Sequence, residues 1–213
     1  MTIKELFMSS TDKAKNSKMS VKWFLSKVKT ILQDNRVNIK EVLNSEKSRN
    51  KNNYFEIGGM YMFAYDPKWK NVLPYYDTFP IIIVLKFHDN GFTGLNLHYL
   101  PPEVRILFLI ALMIGYGNGN KKASDLFQNM DETLKSRGAN KLFIDYDRLI
   151  QNSSRLYGLD KPCIKRYLFN HVRSSINRIP MDDWEYVAAL PTEEFKKLSK
   201  ESVWLESINI AKS

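Results

Sequence analysis

Residues 57–102, IGGMYMFAYDPKWKNVLPYYDTFPIIIVLKFHDNGFTGLNLHYLPP, decide the fold of this chain. Apolar and aromatic runs alternate with Asp-Pro, Leu-Pro, Phe-Pro and Asn-Gly punctuation, the pattern of short strands cut by turns. Strands are expected at residues 60–65, 81–87 and 94–99, with Asp66 and Pro67 turning the chain out of the first. The HDNG sequence at 88–91 joins the second and third as a hairpin. Ile81-Ile82-Ile83-Val84-Leu85 is continuous rather than alternating, which suits a central strand buried on both faces. Strands this short and aromatic predict a small barrel of the SH3 type. The expected class is therefore α+β, a small SH3-like β barrel flanked by N-terminal and C-terminal helices.

Upstream, residues 1–20 are polar and weakly periodic and read as a mobile arm. From Ser20, an N-cap residue, Val21, Phe24, Leu25, Val28, Ile31 and Leu32 recur at spacings of three and four, with Lys22, Lys27 and Lys29 opposite. SEKSRNKNN at 45–53 is a polar linker into the strands. Downstream, Pro101 and Pro102 end the sheet and residues 103–114 read as a buried helix. Another helix is expected at 123–137, and a third after Asp160 with Pro162 in its first turn. Ile164, Leu168, His171, Val172 and Ile176 would form the apolar face of that third helix. Its outer face would offer Lys165, Arg166, Arg173 and Asn177. Residues 184–190 read as a strand, and Thr192 as the cap of a final helix with Glu193 and Glu194 in its first turn. The division is a basic arm and helix at 1–53, the barrel at 54–102, and a helical region at 103–213 completing the same unit.

Charge points to a partner. The chain of 213 residues carries a net charge of +9, and residues 1–53 hold 12 Lys and Arg against 5 acidic residues. Such an excess on one segment is the electrostatic footprint of a polyanion, because each phosphate contact releases condensed counterions. Lys13, Lys15, Lys18, Lys22, Lys27 and Lys29 form one candidate DNA-binding set, and Lys165, Arg166 and Arg173 a second. Basic arms and helix faces track phosphates without reading bases. The alternative is a solvated, lysine-rich surface.

Other chemistries find little support in the residues. The single cysteine, Cys163, excludes a disulfide framework and a cysteine-based zinc site. No apolar central region of a secretory signal stands near residue 1, and the longest apolar run, 106–114, is too short to span a bilayer. The glycine cluster at 115–119 follows a predicted helix instead of a strand, so it is not a phosphate loop. Asp182 or Asp183 with Glu194-Phe195-Lys196 imitates the acidic-x-Lys arrangement of metal-dependent nucleases, yet Glu194 and Lys196 are expected on a helix start. His88, His98 and His171 stand at no metal-ligand spacing, and no Gly-x-Ser-x-Gly elbow is present. No catalytic residue, metal or cofactor is assigned.

Several motifs together resemble the DNA end protector proteins of large contractile-tailed bacteriophages. They are Gly59-Met60-Tyr61-Met62-Phe63, Tyr65-Asp66-Pro67-Lys68, Leu73-Pro74-Tyr75-Tyr76-Asp77-Thr78-Phe79-Pro80 and Gly91-Phe92-Thr93-Gly94-Leu95-Asn96-Leu97-His98-Tyr99-Leu100. Lys165-Arg166-Tyr167-Leu168, Leu190-Pro191-Thr192-Glu193 and Val203-Trp204 extend the resemblance, which covers roughly residues 57–205. It implies a non-enzymatic virion protein that binds the ends of packaged linear double-stranded DNA and shields them from host exonuclease. Such a protein would reside in the virion, and in the host cytoplasm during assembly and after injection. Tyr75, Tyr76 and Phe92 are the candidates for stacking on a terminal base pair. The rival reading is a structural head, neck or tail component that docks on portal, neck or tail proteins without protecting ends.

Overall fold

Alternation along the strands buries both faces of one antiparallel sheet. The computed structural model describes residues 54–116, 142, 144–179, 181 and 184–213. Its main sheet has five strands in the order β5-β4-β3-β1-β6. These are β1 (Met60–Met62), β3 (Ile81–His88), β4 (Gly91–Asn96), β5 (Ile164–Leu168) and β6 (Asn177–Ile179). A second, two-stranded sheet pairs β2 (Tyr76–Asp77) with β7 (Phe195–Lys196). The helices are α1 (Pro102–Tyr116), α2 (Tyr146–Gln151), α3 (Asp160–Cys163), α4 (Trp184–Ala189) and α5 (Lys200–Lys212). The chain is α+β, as expected, but the sheet is open, and among the described residues no SH3-like barrel closes.

The reason lies in what each face buries. Met60, Met62, Ile81, Ile83, Leu85 and Leu95 face a core shared with Phe108, Leu109 and Leu112 of α1, Trp184 and Val187 of α4, and Val203 of α5. The alternate residues Tyr61, Phe63, Ile82, Val84, Phe92 and Tyr167 build a second, aromatic core with Phe55 and Tyr65. Each large side chain so removed from water contributes about 1.5–3 kcal/mol. A barrel would enclose one of these faces and expose the other. Burial on both sides instead explains why Ile81-Ile82-Ile83-Val84-Leu85 is continuous: β3 is the central strand.

The hairpin at 88–91 forms, with His88 opposite Gly91. A Cβ at Gly91 would stand 1.9 Å from the Tyr167 carbonyl oxygen, so only glycine lets β5 approach there. A register shift between Val84 and Lys86 bulges β3 and sets Phe87 opposite Phe92. Gly58 has φ +77° and lies against Leu142, whose amide donates to the Gly58 carbonyl at 2.8 Å, while the Gly58 amide donates to the Val84 carbonyl at 2.7 Å. The third expected strand ends early. The Asn96 side chain accepts from the His98 amide at 3.0 Å, and Leu97–Tyr99 turn as a 3-10 helix.

Three expected elements are replaced. The helix after Asp160 stops after one turn at Cys163, and residues 164–168 become edge strand β5, in register with β4 from Gly91 to Leu95. Residues 184–189 are helical, with the Trp184 indole donating to the Ile179 carbonyl at 2.9 Å. The final helix begins at Lys200 under a Ser199 cap, and Thr192 caps nothing. The expected helices at 20–32 and 123–137, and residues 117–119 of the glycine cluster, lie outside the described residues. No described helix is long and apolar enough to cross a membrane.

Candidate nucleic-acid interface

The loop at residues 66–73 leaves the sheet after β1 and is fixed from both ends. At its start, Tyr65 bridges to Val172, and the Asp66 amide donates to the His171 carbonyl at 3.0 Å. The His171 imidazole lies 2.7 Å from the Asp66 carbonyl oxygen through Nδ1, and the Arg173 amide donates to Ala64 at 2.8 Å. Within the loop, the Trp69 carbonyl accepts from the Val72 and Leu73 amides at 3.0 and 2.9 Å. Lys197, held at φ +74°, threads its ammonium onto the carbonyls of Asn71 and Leu73 at 3.1 and 2.7 Å. A non-glycine residue in the left-handed region is uncommon. Here it carries the Lys197 side chain to the loop.

Cations crowd this loop. The Lys68 ammonium stands 5.2 Å from the centroid of the Trp69 ring. Lys70 donates to both Asp66 carboxylate oxygens, at 2.9 and 3.1 Å, and Arg173 approaches the same group at 3.8 Å. The Lys70 ammonium thus holds the Asp66 carboxyl below its ordinary range. Lys196, exposed next to Lys197, pairs with Tyr76 across β2 and β7.

The second predicted basic set is spread over different places in the fold. Lys165 and Arg166 are neighbours on a strand, so their side chains leave on opposite faces. The Lys165 ammonium sits 4.0 Å from the Tyr99 ring centroid, and burial pulls its pKa down. Arg166 is exposed and donates to Asn90 at 2.6 Å. Arg173 alone joins the 66–73 loop. Lys13, Lys15, Lys18, Lys22, Lys27 and Lys29 lie outside the described residues.

The three rings expected to stack on DNA are largely interior. Phe92 is fully buried, stacked on Tyr167 with centroids 5.3 Å apart. Tyr75 is buried between Tyr99 and Phe195, and its phenol, desolvated and facing Glu206, is pushed up to about 12. Tyr76 is half-buried in β2. Around the 66–73 loop, the sequence reading did not assign Lys196 and Lys197 of the neighbouring segment to DNA, nor Lys68, Trp69 and Lys70 of the loop itself. The signal for the loop residues was the Lys-Trp-Lys triplet directly after Asp66-Pro67.

A second polar constellation is closed to solvent. His98 Nδ1 lies 2.7 Å from Asp77 Oδ2, and Nε2 lies 2.8 Å from the Thr192 hydroxyl. Asn96 donates to Asp77 at 3.1 Å and to the Tyr167 hydroxyl at 3.0 Å. Burial favours the neutral Asp77 carboxyl, but His98, the Phe79 amide and Asn96 outweigh it and hold the group below its ordinary range. The order carboxylate-imidazole-hydroxyl is that of a hydrolase triad. Here the histidine is fully buried and Thr192 only 5% exposed, so the chain of hydrogen bonds clamps the 190–194 segment to the sheet. Beside it, fully buried Arg105 donates to the carbonyls of Leu100, Ala188 and Leu190 and pairs with Glu193 at 3.4 Å.

The nuclease-like residues are arranged otherwise than expected. Phe195 and Lys196 form strand β7, and the Glu194 carboxylate accepts from the Thr78 hydroxyl at 3.2 Å. Asp182 and Asp183 lie outside the described residues. Among the described residues no group of three or more His, Cys, Asp or Glu side chains could hold a metal ion.

The exposed cations therefore suit a polyanion, while the buried polar groups serve the fold. A family model described as phage T4 terminal DNA protecting protein matches residues 2–207. The chain belongs to this family. Comparison with curated proteins gives no match, and comparison with solved structures gives none. The terminal DNA protecting family takes in the basic segment at 2–53, which lies upstream of the motifs at 57–205 that carried the resemblance. Membership sets the protein among phage proteins that protect DNA ends.

Proposed function

We propose that the protein binds the ends of packaged linear double-stranded DNA in the phage virion and shields them from host exonuclease by occlusion, without catalysis. Membership in the terminal DNA protecting family carries this reading. The basic segment at 1–53 and the cation-rich loop at 66–73 support it, since phosphate neutralisation supplies affinity for DNA of any sequence. Occlusion needs only that the bound protein stand where an exonuclease must begin. The closed Asp77-His98-Thr192 chain and the fully buried Arg105 fit a protein whose interior polar groups hold structure together.

The test is digestion of blunt linear DNA by a processive exonuclease in the presence of the purified full chain. Protection at a few molecules per end is expected, and binding should weaken steeply with salt. With roughly six phosphate contacts, affinity falls about 10³-fold between about 50 and 200 mM salt. A protein that leaves digestion unslowed, yet assembles with portal or tail subunits, would be a structural component of the particle instead.

A further inference from the structure

We propose that Trp69 is the end-reading residue, stacking its indole on the exposed face of the terminal base pair while the cations around it hold the last phosphates. This rests on the reading that the protein binds DNA ends, and it names the surface that does so.

Trp69 is 62% exposed and its neighbour Val72 is 74% exposed, whereas the indoles of Trp184 and Trp204 donate to backbone carbonyls of the fold. A single exposed ring is common on a protein surface, so the case rests on what surrounds this one. This one sits on a preformed platform. Its own carbonyl accepts two loop amides, Lys197 holds the carbonyls of Asn71 and Leu73, and Asp66 is tied to His171. Little ordering is then left to be done on binding. The surroundings choose the occupant: Lys68, Lys70, Arg173 and Lys197 gather at the loop, where the Asp66 carboxylate is already engaged by Lys70 and Arg173. An apolar protein partner would not match that charge, but a polyanion does. Within a duplex every base-pair face is covered by its neighbour. Only a terminus offers a free π-face, so stacking supplies the end preference that phosphate contacts lack.

The experiment competes a labelled open-ended duplex against the same duplex with both ends closed by hairpin loops, using the full chain. Wild-type protein is expected to prefer open ends about tenfold, the scale of one base-aromatic stack. Trp69→Ala should bring that preference close to unity and leave affinity for the closed duplex within about twofold. Trp69→Phe should retain part of it. A terminal 2-aminopurine should change fluorescence with wild-type protein and not with Trp69→Ala. If Trp69→Ala keeps the full preference, the role of Trp69 is overturned while end binding stands. Equal loss on both duplexes would make Trp69 a general affinity residue and also overturn the proposal. A wild-type protein that treats both duplexes alike would overturn end binding itself.

Discussion

The interior around residues 77, 98 and 105 and the loop at 66–73 handle charge in opposite ways. Inside, Arg105 reaches three carbonyls and Glu193, and the His98 ring lies between Asp77 and Thr192. On the loop, Lys68 faces only an aromatic ring, and Lys70 and Arg173 share one carboxylate at the surface. Desolvated charge is costly unless fully partnered, so the interior pairs define one packing. Solvated charge is cheap to hold and free to meet an outside anion. Substitutions in the two places should thus change different observables, stability in one and DNA binding in the other.

The largest effect is expected at Arg105. Arg105→Ala leaves Glu193 buried beside the more exposed Lys200 and strips donors from three carbonyls, at a cost of about 3–5 kcal/mol in urea unfolding. A combined Arg105→Met and Glu193→Gln variant should recover much of the loss, because no lone charge then remains buried. A single-variant cost under about 1 kcal/mol would break the contrast, since an interior that yields so easily is not specified by its charges.

Next in size is acid lability. The folded Asp77 carboxyl titrates below its ordinary value of 3.8, so the unfolded chain binds its proton first as pH falls. The stability it contributes is complete above about pH 4 and is lost as pH drops through the folded value. Thermal unfolding of wild-type protein should therefore weaken below about pH 4 more steeply than that of Asp77→Asn, which is less stable at neutral pH but flatter in acid. Equal acid slopes for the two would remove Asp77 from the account.

How much of this was legible follows the range of the interactions. Local signals served well: the apolar run at 81–85 marked the central strand, His88 to Gly91 marked the hairpin, and Pro101-Pro102 preceded α1. Residues 164–176 misled because Ile164, Leu168, Val172 and Ile176 repeat at helical spacing. In the fold Ile164 packs against one core while Val172 and Ile176 pack against the other, and pairing with β4 overrides the periodicity. Thr192 followed by two glutamates looked like a helix cap, but its hydroxyl answers His98, 94 residues away in sequence. At the candidate interface, aromatic residue type alone could not separate buried Phe92 from exposed Trp69. That difference is set by tertiary packing of β4 against β5.

The smallest expected change in stability, and the sharpest test of the contrast, is at the loop. Lys68→Gln with Lys70→Gln removes two exposed ammonium groups and no buried contact. Unfolding should be essentially unchanged, since surface substitutions away from special features seldom matter to the fold. Binding to linear DNA should weaken at every sequence alike, because these groups can meet phosphates but read no base edges. If each contacts one phosphate, the slope of log affinity against log salt becomes shallower by about 2. Measuring both quantities on one sample separates the two kinds of charge. An altered slope with unaltered melting places the lysines on the DNA. Altered melting with an unaltered slope would make the loop a structural element whose cations serve the fold, as Arg105 does within it.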